Sequence, residues 1–271
     1  MKERLDVYLV KNGFYETRNK AQTAITSKDI KVNGTIIDSS SFKVEENSVI
    51  EIVSNSLPYV SRGGLKLEKA LKVFEITLLD KIMLDIGSST GGFTDCALQN
   101  KIKKVIAVDV GSDQMAKSIR ENVKVMLYEN TDFRMLDNEK IYDANIATID
   151  VSFISVTKII DKFENLDNLN EVICLIKPQF ECGKEIADKY KGIINDKNVH
   201  LKVINNVCEF FKNINYKLES LTSSPIKGGS GNIEYLGYFK REIHLNEKEY
   251  DISNVEFQNN IKNVIKDAFT N

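Results

Sequence analysis

Apolar residues are spaced in two different ways along this 271-residue chain. Near the N-terminus they come in short bursts. Leu5, Tyr8 and Leu9 recur at helical spacing, and the segment from Thr17 to Thr26 places Ala21, Ala24 and Ile25 on one face of a second helix. In "KVNGTIID" the Asn33-Gly34 pair between β-branched runs predicts a hairpin, and "FKV" and "VIEIV" add short strands up to about Val53. "NSLPYVSRGG", Asn55 to Gly64, carries Pro58 and a glycine pair and predicts a linker.

From Ile82 the pattern changes to apolar strands alternating with helical segments, which is how a parallel sheet covered on both faces reads in sequence. The strands are "IMLDIG", "KVIAVDV", "VKVMLY", "NIATIDV" and "EVICLIK". "YKLESLTSSP" and "EYLGYFKRE" follow with no long helix between them, so an antiparallel hairpin at the sheet edge is expected. Val255, Ile261, Val264, Ile265 and Phe269 then mark an amphipathic helix. The predicted fold class is α/β: a small N-terminal α+β domain over residues 1–54, a linker over 55–64, and a doubly wound, Rossmann-like sheet domain over 65–271.

Composition narrows the possible functions. An apolar content of 42% is enough to bury two cores, and no window approaches the apolar length of a membrane span. "MKERLDVYLVKNG" has charges where a signal peptide needs an apolar stretch, so a cytoplasmic protein is expected. Cys96, Cys174, Cys182 and Cys208 show no CxxC spacing, and His200 and His244 are the only histidines; no metal site is expected. A net charge of -2 disfavours indiscriminate binding of nucleic acid. Met1 to Gly34, however, holds seven Lys/Arg against four Asp/Glu, a local balance of +3.

"DIGSSTGGFTD" follows the first buried strand, and its composition builds no core. Asp85 ends the strand. Gly87, Ser88, Ser89, Thr90, Gly91, Gly92 and Phe93 then lead into a helix at the carboxyl end of the sheet, where doubly wound folds bind ligands. The spacing is neither GxGxxG nor a P-loop with its lysine, which disfavours dinucleotides and nucleoside triphosphates. Asp109, with Val110 beside it, ends the next strand at the distance where a carboxylate accepts from ribose hydroxyls. A nucleoside without phosphate but with a cationic sulfonium, S-adenosylmethionine, fits this acidic set.

Polar residues also sit at the ends of other apolar runs: Asp150 in "ATIDVSFIS", Lys177 in "CLIKPQFE" and Glu234 in "GNIEYLGYF", with Lys66 in "SRGGLKLEKAL" ahead of the sheet. In the predicted sheet, Asp150 and Lys177 project over the same rim as the Gly87 loop. That suits methyl transfer to a hydroxyl, a weak nucleophile that must lose its proton as the bond forms. Lowering an amine from a reference pKa of about 10.4 by ~2 pH units, about 2.7 kcal/mol, needs desolvation or a second cation. Lys66 is the candidate for that cation, with Asp150 and Glu234 orienting the pair.

"YVSRGGLKLEKAL", "DIGSSTGGFTDCALQ", "AVDVGSDQM", "DVSFIS" and "KPQFE" together resemble the TlyA (hemolysin A) family, a branch of the FtsJ-like ribose methyltransferases with an S4-like RNA-binding domain in front. The resemblance spans nearly the whole chain. It implies an S-adenosylmethionine-dependent 2'-O-methyltransferase of cytidines in ribosomal RNA, acting on ribosomal RNA or ribosomal subunits. It also implies a catalytic tetrad of Lys66, Asp150, Lys177 and Glu234 with Lys177 as base, although Lys69 is close enough to compete for the first position. By the match of "RLDVYL", "TRNKAQTAI" and "KVNG", Arg4, Arg18, Lys20 and Lys31 would contact RNA phosphates, with Arg62 added from "SRGG". Where many relatives read Glu-x-Thr-Asn-x-Arg this chain has "ENTDFR", so Asp132 can accept from an adenine amino group but cannot donate. Two alternatives belong to other classes: a membrane-lytic protein, for which Val255 to Phe269 is a short segment, and an RNA-binding scaffold without catalysis. Ser223 to Asn232, "SSPIKGGSGN", reads as a mobile loop.

Overall fold

The computed structural model describes residues 2–15, 17–26, 29–52, 57–242 and 251–270. The chain divides into two compact units, Met1–Leu57 and Pro58–Asn271. The first contains β1 (Lys2–Arg4), α1 (Leu5–Lys11), α2 (Arg18–Thr26), β2 (Ile30–Val32), β3 (Thr35–Ile36), β4 (Lys43–Glu45) and β5 (Ile50–Ile52). β2 pairs antiparallel with β3 and with β5, and β1 with β4. The helical spacing seen in sequence puts Leu5, Leu9, Ala21, Ala24 and Ile25 into one small core with Ile30, Val32 and Val44. The predicted strand end at Val53 lies outside the described residues.

The second unit opens with α3 (Gly63–Val73) and β6 (Ile82–Ile86), followed by α4 (Gly92–Gln99), β7 (Lys104–Val108), α5 (Lys117–Arg120) and β8 (Val125–Tyr128). After two 3-10 turns come β9 (Ile146–Ile149), α6 (Thr157–Ile160), β10 (Glu171–Ile176), α7 (Pro178–Glu181), α8 (Lys184–Lys189), α9 (Lys197–Asn213), β11 (Tyr216–Ser223), β12 (Tyr235–Arg241) and α10 (Val255–Thr270). One seven-stranded sheet runs β11-β12-β10-β9-β6-β7-β8. β6 to β10 are parallel, whereas β12 is antiparallel to both neighbours, which makes the expected edge hairpin with β12 on its inner side.

Alternate residues of the strands feed two cores. Leu84, Ile86, Val108, Ile149 and Cys174 face α6, α9 and α10, while Met83, Val105, Ile146 and Leu175 face α3 and α4. Helix α10 is the predicted amphipathic one, with Ile261, Ile265 and Ala268 buried. No described helix is long and apolar enough to cross a membrane. The stretch read as a linker is partly structured: Tyr59 is buried and α3 begins at Gly63. Asp95 on α4 accepts the Val60 N–H at 2.7 Å, which pins this stretch to the second unit. Asn55 lies outside the described residues.

Candidate active site

The chain leaves β6 for β7 and β8 on one side and returns as β9 on the other, so the order reverses between β6 and β9. In doubly wound sheets such a switch point is where ligands bind. Asp85 pairs in register with Thr148 of β9 and points toward α4. Its carboxylate is fully buried and accepts the hydroxyls of Thr94 at 2.6 Å and Thr148 at 2.9 Å. Burial pushes its pKa up to about 6 despite these bonds, because two neutral donors do not replace the hydration of an ion. Gly87 follows at φ 82°, where a Cβ would lie 2.6 Å from the Asp150 carbonyl oxygen; only glycine fits. Gly91 caps α4, which starts at Gly92, one residue before the expected Phe93.

Asp109 lies just past β7 and accepts two backbone N–H groups, from Ser89 at 2.7 Å on Oδ2 and from Gly111 at 2.7 Å on Oδ1. It thereby ties the glycine-rich loop to the loop after the second strand. Ser89 also reaches Gln114 through its hydroxyl, while Thr90 is exposed and takes the Ala116 N–H on its carbonyl. Val110 is 73% exposed, unusual for a valine at the end of a buried strand. Ser88 is buried and its Oγ has no hydrogen-bond partner among the described residues. Asp132 is held by Arg134, which donates from Nε at 3.0 Å and from Nη2 at 2.5 Å; this guanidinium keeps the carboxyl below its ordinary range.

Strand register explains the second cluster. Ile176 of β10 pairs with Tyr235 of β12, so Lys177 and Glu234 emerge together at one rim; Cys174 pairs with Ile149, which brings Asp150 to the same rim. Lys66 arrives from α3. Its Nζ lies 2.9 Å from Glu234 Oε2 and 3.5 Å from Asp150 Oδ2, and Lys177 Nζ lies 2.6 Å from Asp150 Oδ1. Lys66, Lys177 and Glu234 are buried, so all four side chains expected at the rim come together in one desolvated cluster, with Lys66 rather than Lys69 at the contact. Asp150 stands between the two lysines. The charge nearest to Lys177 is therefore this carboxylate, not the second cation expected from sequence.

Several residues around the cluster escaped the sequence reading. Lys177 Nζ also donates to the Val151 carbonyl at 2.8 Å and to Ser152 Oγ at 3.1 Å, and Gln179 donates to Glu234 Oε1 at 3.3 Å. Glu181, one turn beyond Lys177, accepts the Ser155 hydroxyl at 2.6 Å and the Val156 N–H at 2.8 Å and so fastens the loop after β9. Phe153 on that loop is 92% exposed at φ 66°, beside the Phe180 ring at 5.1 Å. Ser223 to Asn232, read as mobile, is anchored: buried Asn232 accepts the Ile194 N–H and donates to the Gly192 carbonyl, and Gly228 packs directly against Glu234. A carboxylate or amide finds such partners only through long-range packing, which local pattern does not reveal.

The basic residues expected to meet RNA are in the first unit, apart from Arg62. Arg4 and Arg18 both bond the buried carboxylate of Asp6. Lys31 is half-buried in β2, and Arg62 is exposed at the start of α3. The side chain of Lys20 lies outside the described residues.

Comparison with known proteins identifies the families of both units. The profile of the FtsJ-like methyltransferases matches residues 59–241, and that of the S4 domain matches residues 3–50. A Bacillus subtilis protein provisionally named rRNA methyltransferase YqxC is 46% identical over 238 residues, which is 87% of this chain and 84% of that one. The 23S rRNA (cytidine-2'-O)-methyltransferase TlyA of Campylobacter jejuni is 41% identical over 181 residues, covering 67% of this chain and 70% of the relative. A solved structure from Streptococcus thermophilus, provisionally named a hemolysin, superposes with a TM-score of 0.74 at 36% identity over 99% of this chain and 96% of its own.

Proposed function

Because this chain belongs to the FtsJ-like methyltransferase family, with an S4 domain in front, we propose that it transfers the methyl group of S-adenosylmethionine to the 2'-hydroxyl of a cytidine in ribosomal RNA. The observation that carries this reading is the buried Lys66-Asp150-Lys177-Glu234 cluster on the same rim as the glycine-rich loop. A family relative is named for cytidine-2'-O methylation of ribosomal RNA, which supports the choice of substrate.

The residues present suit the cofactor. Asp85 and Asp109 supply negative charge, the Gly87 turn lets the backbone approach closely, and the buried, unpartnered Ser88 hydroxyl is a polar group that a bound ligand would satisfy. Asp85, Gly87, Ser88, Ser89, Thr90, Gly91, Gly92 and Phe93 would hold it on one side, and Asp109, Val110, Asp132 and Asp150 on the other. The cofactor supplies an electrophilic methyl that needs no further activation.

The protein supplies the base. Lys177 directs its N–H groups at Asp150, the Val151 carbonyl and Ser152. An ammonium with three acceptors has no lone pair to offer, so Lys177 must first release one proton to solvent; the neutral amine then takes up the 2'-OH proton. The Ser152 contact is the replaceable one, since a hydroxyl both donates and accepts as it rotates. Lys66 stays bonded to Glu234 and keeps Asp150 from being pulled wholly toward Lys177. Incubation with labelled cofactor and ribosomal subunits, followed by mapping of methylated nucleotides by mass spectrometry, tests the function. Lys177→Ala should lower transfer by about 10²–10⁴-fold while cofactor affinity stays near that of the parent. Asp109→Ala should weaken cofactor binding first. Equal loss of binding in both variants would refute this division of roles, and lysis of vesicles without cofactor would point to the membrane instead.

A further inference from the structure

The first unit has a polar group that its small core does not explain. Asp6 has 0% of its surface exposed, yet it sits in the first turn of α1 with no lysine or arginine of its own helix beside it. Its carboxylate gathers three donor residues from two other elements. Arg4 at the end of β1 donates from Nε at 3.0 Å to Oδ1 and from Nη2 at 3.1 Å to Oδ2; Arg18 at the start of α2 donates from Nε at 2.9 Å, and Gln22 from Nε2 at 2.7 Å. The Arg4 guanidinium holds the Asp6 carboxyl well below the usual carboxylate range.

The side chains of Arg4 and Arg18 keep 38% and 53% of their surface exposed. Each turns one edge inward to the same carboxylate and leaves the rest of its planar fork at the surface. Two guanidiniums clamped on one anion form a group of net charge +1 whose rotamers are fixed before any ligand arrives, and planar forks match phosphate oxygens.

We propose that Asp6 is the positioning residue of this interface: it sets Arg4 and Arg18 as one fork for the phosphate groups of RNA. The proposal rests on the reading that the N-terminal unit engages ribosomal RNA. It makes a prediction whose sign is opposite to simple charge. Asp6→Asn adds one positive charge to the unit, and counterion release alone would tighten binding to a polyanion. Loss of the shared clamp instead leaves two long side chains to be ordered on binding, so affinity should fall about tenfold.

Binding of the full chain to deproteinised large-subunit and small-subunit rRNA, measured with S-adenosylmethionine present, decides between them, with thermal melting followed in parallel. Arg4→Lys/Arg18→Lys keeps every charge and leaves Asp6 in place but removes the planar forks and their bonds to it; where melting shows it folded, it too should bind about tenfold more weakly. If this double variant binds as tightly as the parent, or if folded Asp6→Asn binds as tightly or more tightly, the proposal is overturned. If Arg4→Gln/Arg18→Gln also leaves binding unchanged, the underlying reading of these arginines as RNA contacts fails with it.

Discussion

Asp85 keeps a carboxylate where charge is disfavoured, and that has a measurable effect on stability. Its pKa is raised from an unfolded value near 3.8 to about 6 by burial. A raised folded value means that the stabilising contribution is complete below the unfolded pKa and is lost as pH rises through the folded one. Asp85→Asn removes this loss, so the variant should gain on the parent by roughly 3 kcal/mol between pH 4 and pH 7 in denaturant titrations. The same variant should bind S-adenosylmethionine more weakly. A second residue-scale prediction concerns Gly228: a Cβ there would run into the Glu234 carboxylate, so Gly228→Ala should lower the rate of transfer while leaving cofactor binding intact. Single-turnover kinetics with equilibrium binding separates the two effects.

Among the elements, α9 draws the sharpest test. Asp196 caps it by accepting the Asn198 N–H at 2.8 Å and also takes the Tyr190 hydroxyl at 2.8 Å. Asp196→Ala should cost about 1–2 kcal/mol in unfolding experiments, as loss of a good N-cap does. The sheet elements were legible because buried strands are continuous apolar runs, and the β11/β12 hairpin because no helix fits between its strands. What could not be read was tertiary. Nothing local shows that Tyr59 is buried and that α3 starts inside a stretch with linker composition, or that Asn232 fastens a glycine-rich loop. The candidate site divides in the same way. Asp150, Lys177 and Glu234 were visible as polar residues at strand ends, whereas the helix-borne Lys66 had Lys69 as a rival, and the anchoring role of Glu181 depends on a loop twenty-five residues away.

For the whole molecule, the two units carry separate cores, so calorimetry should resolve two transitions. S-adenosylmethionine at a hundredfold excess over its Kd should add about 2.7 kcal/mol to the second unit alone, a rise of roughly 5–10 °C in that transition. A single transition shifted as one would show that the units unfold together.

Lys66 and Glu234 are bonded across 168 positions of sequence, with Asp150 supplied from between them. A nascent chain therefore cannot close this cluster until most of it has left the ribosome, and every truncation before Glu234 lacks it. The cluster comes together late in synthesis and all at once, so an unfinished copy would have no site for the proposed transfer to ribosomal RNA.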